Sequence, residues 1–185
     1  MEMETANSPY FRTYTGKLVH IRDPHPDEID IEDIAHALSQ TCRFFGHTDG
    51  FYSVAQHSIL VSQRVPAADA LWGLLHDGAE AYLGDLARPL KRAPEMEWYR
   101  SLEDRFLVCF AKKFGLPPAI PESVVRADSM LLATEFRDVT TVHDDHPWIL
   151  GECGVAPINS GFCILPWLPA VAEDKFLRRY WGLTK

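Results

Sequence analysis

Apolar residues recur at helical spacing through most of the chain. Ile31, Ile34, Ala35, Leu38 and Cys42 share one face and predict a first amphipathic helix over 31–42. Asp30 stands at its N-cap, with Asp33 as the reciprocal partner three positions on. Ser53 caps a second helix, 54–64, which Pro66 ends. A third runs from Ala67 to Leu83 and stops at Gly84, a normal residue just past a helix end. Pro94 or Glu95 opens a long helix to Phe114 with Trp98, Leu102, Phe106 and Phe110 on its stripe. A fifth, 122–139, carries Val125, Leu132 and Phe136 on its apolar side, and a last one from Ala170 to Trp181 carries Phe176, Leu177 and Tyr180.

The remaining segments lack this period. Residues 11–20 alternate as a short strand or hairpin arm does, so a small N-terminal β-ribbon is expected. Residues 140–169 are rich in proline and glycine and read as one irregular flap. The loop CRFFGHTDGFYS, residues 42–53, is aromatic-rich and is expected to fold back over the body rather than face solvent. The reading is an all-α fold with a short N-terminal β-ribbon: one domain over 1–185, its core at about 30–140.

Polar residues inside the apolar runs carry the functional signal. Between Ser53 and Lys91, His57 lies in one helical segment and the doublet His76-Asp77 in the next. Glu80 follows one turn later, then Asp85, Arg88 and Lys91. Ionisable groups in apolar helices need partners, and a divalent metal satisfies histidine and aspartate together. His76 and Asp77 are about 100° apart around a helix, so an ion off their shared edge can take both. His57 adds a third ligand if the two helices pack antiparallel. Asp128, mid-helix among small and apolar residues, is the best downstream fourth. Such mixed N/O ligation, with positions left open, suits manganese, cobalt, iron or zinc, and admits magnesium, more than calcium. His20, His25, His36, His143 and His146 lack comparable company and read as surface or structural residues, with His47 intermediate.

Composition narrows the partners. A chain of 185 residues, 46% hydrophobic and 24% charged, has the make-up of a globular protein. A net charge of −8 without a basic run argues against a duplex nucleic-acid binder. Gly161–Ala172, the longest nearly apolar stretch, is too short to span a bilayer. Cys42, Cys109, Cys153 and Cys163 show no zinc-type spacing and read as reduced thiols, and the acidic, polar stretch MEMETANSPY does not read as a signal peptide. A cytoplasmic location is expected, that of the host if the gene is a phage's.

The pattern His57, His76-Asp77, Asp128 resembles the HD-domain metal-dependent phosphohydrolase superfamily, whose metal motif is H…HD…D. The likeness extends to its nucleotide-hydrolysing branch, the 5′-deoxynucleotidases and phage dATP triphosphohydrolases. Those proteins carry an Arg-aromatic pair about fourteen residues before the first ligand. Arg43-Phe44 matches it, with Phe for the more usual Trp. Glu80, Gly84-Asp85, Pro89 and Lys91 match the rest, and the likeness covers roughly residues 30–140.

The resemblance implies a mainly helical HD-domain fold holding one divalent metal on His57, His76, Asp77 and Asp128. Glu80 would orient or deprotonate the attacking water. Arg43 and Lys91 would hold phosphates, Asp85 would accept a hydrogen bond from the sugar 3′-hydroxyl, and Phe44 and Pro89 would pack on the sugar or base. It implies hydrolysis of a deoxyribonucleotide, either a dNTP such as dATP, with release of triphosphate or successive phosphates, or a dNMP. A nucleotide-binding protein without turnover is the third reading, against which the complete ligand set and Glu80 argue. The flap and the Tyr/Trp-rich last helix would serve a homo-oligomer contact or ordinary surface packing equally well.

Overall fold

A computed structural model describes residues 8–141, 154–159 and 161–185. It is mainly helical, with a two-stranded antiparallel ribbon at its start, as the periodicity predicts. Strands β1 (Tyr10–Arg12) and β2 (Leu18–His20) pair in the register Phe11↔Val19. The helices are α1 (Ile31–Gln40), α2 (Val54–Ser62), α3 (Ala70–Leu75), α4 (Glu80–Leu83), α5 (Arg88–Lys91), α6 (Glu97–Phe114), α7 (Glu122–Val139) and α8 (Pro169–Leu183). Much of the 140–169 flap, with His143, His146 and Cys153, lies outside the described residues; its described parts are irregular.

Helix α2 is the axis of the fold. All nine of its residues are buried, including Gln56, His57, Ser58 and Ser62. Ser53 caps it, accepting from the Gln56 amide at 3.1 Å. A helix enclosed on every side satisfies most of its polar side chains internally, Ser58 Oγ being the exception in α2 among the described residues. The Gln56 side chain does so, Nε2 donating to Leu165 O and Oε1 accepting from Trp167 N, each at 2.8 Å, which pins the end of the flap. Val54, Ala55 and Ile59 join a core with Ile34 and Leu38 of α1, Phe106 and Phe110 of α6 and Phe176 of α8. Leu60 and Val61 join a second with Trp72, Val124, Ala127 and Leu131.

Two glycines set how closely α3 and the turn after it can lie. A Cβ on Gly73 would stand 2.9 Å from Ser62 Cα, and one on Gly78 would stand 2.7 Å from the Phe110 ring. Contacts that short would force a neighbour to shift, so α3 lies this close to α2, and the His-Asp turn this close to α6, because glycine stands there.

The structure corrects several element boundaries and faces. The segment 67–83 is not one helix. It runs as a 3₁₀ turn (Ala67–Asp69), α3, a tight turn at His76–Ala79, then α4. Gly78 N bonds to Leu75 O and Glu80 N to Asp77 O, so the ladder tightens to the three-residue spacing there. Asp30 caps α1 through Glu32 N, but Asp33 turns away, accepting from Thr15 N at 2.7 Å and Thr15 Oγ1 at 2.9 Å. That ties the ribbon to α1. Trp98 is 61% exposed. Tyr99, seven residues before Phe106 and so on its face, takes the inward position. Val124, on the line Val124–Ala127–Leu131, faces the body, and Val125 does not. Arg88–Lys91, expected as a plain connection, forms a helical turn.

Candidate functional site

The four predicted ligands converge. His57 Nε2 lies 3.3 Å from His76 Nε2, 3.2 Å from Asp128 Oδ1 and 3.5 Å from Asp77 Oδ2. His76 Nε2 lies 3.3 Å from the same Asp77 oxygen. His57 comes from buried α2, the doublet from the turn that Gly73 and Gly78 seat, and Asp128 from α7.

The hydrogen bonds on the far sides of the rings decide what points inward. His76 Nδ1 is 2.9 Å from Gly73 O, a carbonyl that only accepts, so Nδ1 carries the proton and Nε2 presents a lone pair. His57 Nδ1 donates to Glu135 Oε1 at 2.6 Å. Glu135 is fully buried. Burial raises its pKa, but Arg43 and the His57 contact outweigh this and hold it below the usual carboxylate range. Two imidazole nitrogens and two carboxylates therefore direct electron density at one point. Bonds of about 2.0–2.2 Å from an ion to imidazole and carboxylate put neighbouring donors about 3–3.6 Å apart. The His57, His76 and Asp128 donor atoms all lie within 4.8 Å of one another, a spacing that could hold a single divalent cation, and Asp77 stands 3.3–3.5 Å from the two imidazoles at the edge of that group.

The charges answer to the same need for a cation. Burial and Arg43 both depress the His57 pKa, yet Glu135 and Asp128 overcome them and push it up to about 9. Burial raises Asp128, but its hydrogen bond with His57 and the two imidazoles bring it down to about 2. Desolvation raises Asp77 too, but His76, His57 and Arg43 together hold it well below the ordinary value. With only protons to share, the site retains one; a metal takes that proton's place when it binds.

Above this centre lies a cleft of about 390 Å³ whose walls include Arg43, Phe44, Asp85, Pro89 and Lys91, as well as Asp77, Glu80 and Asp128. Every residue the sequence assigns to substrate thus faces one space. A second cleft of about 410 Å³ opens on the other side, sharing Asp77, Glu80, Lys91 and Asp128 and bounded by His76 and Glu103. Glu80 is 5% exposed, and its Oε2 has no hydrogen-bond partner among the described residues. Burial, with the Asp77 and Asp85 carboxylates, pushes its pKa well above the ordinary value. Burial likewise raises Asp85.

Arg43 comes from a sharp turn. Phe44 and Phe45 both adopt left-handed backbone, φ 55° and 53°, which costs on the order of 1–3 kcal/mol each outside glycine. The turn buries Arg43, packs Phe44 on Phe136 at 5.1 Å between centroids, and leaves Phe45 57% exposed at the cleft. Arg43 Nη2 donates to Glu135 Oε2 at 3.0 Å, and Nη1 reaches Asp77 Oδ2 at 3.5 Å.

Several functional neighbours escaped the sequence reading of roles. Glu135 and its partner Tyr52, whose hydroxyl donates to Glu135 Oε1 at 2.8 Å, are the foremost. Glu103 accepts from Lys91 at 2.7 Å, while Lys91 is 3.4 Å from Glu80. Arg88 donates to Asp128 Oδ2 at 2.5 Å. Seven residues from Asp128 on α7 puts Glu135 on the same helical face, a spacing that marks it as inward-facing. His36 stacks on Tyr14 and contacts Glu173, a structural role; His25 and His47 are exposed.

Fold and centre together define a mainly helical protein built around a His57, His76 and Asp128 group, with Asp77 beside it, under an aromatic and cationic cleft. No family model matches the chain. It is 39% identical over 176 residues to the uncharacterized protein YfdR of Escherichia coli (strain K12), covering 95% of this chain and 96% of YfdR. It is also 39% identical over 125 residues to an uncharacterized protein of Rhodobacter capsulatus, covering 63% of each. The chain belongs to the YfdR family. Among the described residues no helix is long and apolar enough to cross a membrane.

Proposed function

We propose that this protein is a metal-dependent phosphohydrolase of the HD-domain type acting on deoxyribonucleotides. The observation that carries the reading is the convergence of His57, His76, Asp77 and Asp128 beneath a cleft lined by Arg43, Arg88 and Lys91. Carboxylates and imidazoles that seek a cation, beside cations that seek an anion, suit a phosphate ester bridging the two. A bound divalent ion supplies Lewis acidity toward a phosphoryl oxygen and acidifies water.

The chain's own groups do the rest. Glu80, with a free Oε2 and a pKa pushed up by burial and by the Asp77 and Asp85 carboxylates, takes the proton of the attacking water. The water oxygen bonds to phosphorus as the bond from phosphorus to the 5′-oxygen breaks. That oxygen leaves with the proton Glu80 took from the water, which restores the Glu80 carboxylate. Arg43 and Lys91 offset charge as it grows on the phosphoryl oxygens. Asp85 receives the 3′-hydroxyl, while Phe44 and Pro89 pack on sugar or base.

The same bond is cut in a dNMP and in a dNTP that releases triphosphate. Three cations lining the cleft favour the dNTP, with dATP the first to try. The test is incubation with dNTPs, dNMPs and NMPs plus manganese or cobalt, with products separated by chromatography. Triphosphate with free nucleoside is the expected outcome. Phosphate from dNMPs alone selects the 5′-deoxynucleotidase reading, and no product from any nucleotide refutes the enzyme.

A further inference from the structure

The fully buried carboxylate of Glu135 does more than fill a hole between α2 and α7. Its Oε1 receives His57 Nδ1 at 2.6 Å and the Tyr52 hydroxyl at 2.8 Å, while Oε2 receives Arg43 Nη2 at 3.0 Å. Burying a carboxylate costs several kcal/mol, which only such complete hydrogen bonding offsets. Apolar packing would occupy the same volume without that cost, so a requirement beyond packing is indicated.

Each bond fixes a direction. Because His57 Nδ1 must donate to Glu135, His57 Nε2 is left to face His76, Asp77 and Asp128. Because Nη2 of Arg43 is anchored to Oε2, the guanidinium is aimed at Asp77 and at the cleft that it lines. Glu135 sits two turns from Asp128 on α7, so one rigid helix carries both a ligand and the group that orients another. We propose that Glu135 is a positioning residue that sets the His57 tautomer for the metal and aims Arg43 at phosphate, joining the two binding events through one side chain. This rests on the metal-site reading above.

The test uses the full chain, comparing wild type with Glu135→Ala and with Glu135→Gln, which preserves shape if the alanine variant does not fold. Three quantities are read: Mn²⁺ affinity by calorimetry, inhibition by inorganic phosphate, and the His57 tautomer by ¹⁵N NMR. Glu135→Ala is expected to weaken Mn²⁺ about 10–100-fold. In Glu135→Gln the amide oxygen stays with its two donors, His57 and Tyr52, and the amide NH₂ is turned on Arg43. That variant is expected to keep the tautomer and lose less than about tenfold in Mn²⁺ affinity, while binding phosphate about tenfold more weakly. Unchanged Mn²⁺ and phosphate affinities in both variants, with only a lowered melting temperature, would make Glu135 a purely structural residue. If wild type itself binds no Mn²⁺, the metal reading falls. The tautomer, read at a pH where the His57 ring is neutral, then still decides the inference, since an Nδ1–H population equal in wild type and in Glu135→Ala contradicts it.

Discussion

The polar groups of this protein fall into two halves with opposite character. On the inner side, Glu135 has both oxygens bonded, and His57, Tyr52 and Arg43 hold it from three directions. On the cleft side, Glu80 leaves one oxygen without a partner among the described residues, and its other contact, to Lys91, is 3.4 Å long. Lys91 bonds more tightly to Glu103, at 2.7 Å. In the inner half the Glu135 carboxylate is fully bonded, although Arg43 Nε has no partner among the described residues, and such bonding suits a group that must hold a fixed charge in place. The cleft half is under-satisfied, which suits groups that exchange a proton or trade a carboxylate partner for a phosphate. A site that binds on one side and reacts on the other divides its hydrogen bonds in this manner.

Substitutions should separate the halves, the largest effects coming from the centre. His76→Ala or Asp77→Ala is expected to abolish both stoichiometric metal and turnover, read by elemental analysis and product release; full metal in both variants refutes the centre. Glu80→Ala is expected to keep metal and fold and to lower turnover about 10²–10⁴-fold. An unchanged rate removes its role as base.

The next effect is a pH dependence of stability. His57 titrates near 9 in the folded chain against 6.5 for an ordinary histidine. Its contribution is complete below pH 6.5 and is lost as pH rises through 9. Stability of the metal-free protein should therefore fall across that window, by on the order of 3 kcal/mol for a shift of that size, in denaturant titrations. Saturating Mn²⁺ should flatten the slope, because the metal replaces the proton. A flat profile without metal contradicts the inner half as described.

The smallest effect concerns packing. Gly78→Ala is expected to destabilise by about 1–3 kcal/mol, since the new methyl meets the Phe110 ring. Stability equal to wild type would mean that the His-Asp turn tolerates more space than the close approach implies.

Much of this was legible in the sequence because helical period and ligand chemistry are local. The face of α1, the Ser53 cap and the approach of His57, His76, Asp77 and Asp128 to one another agree with the residue spacing, and Arg43, Asp85 and Lys91 do line one cleft. The break in the third helix was not legible. Nothing in the run from Ala67 to Leu83 announces that Gly78 must lie against Phe110, a contact with a residue thirty-two positions away. Glu135 escaped for a related reason. A glutamate in an amphipathic helix reads as solvent-facing unless the partners that neutralise it are known, and Arg43, Tyr52 and His57 come from elsewhere in the chain. Its spacing from Asp128 was the available signal. Trp98 shows the converse, where aromatic bulk suggested burial and a phase difference of about 80° from Phe106 left it exposed.

The central claim is that four side chains from α2, the His-Asp turn and α7 hold one divalent ion. Calorimetric titration of metal-stripped protein with Mn²⁺, beside the Asp128→Ala variant, tests it most directly. The account predicts one ion per chain in wild type and binding weakened at least about tenfold in the variant. No saturable binding in wild type, or equal binding in both, would contradict it.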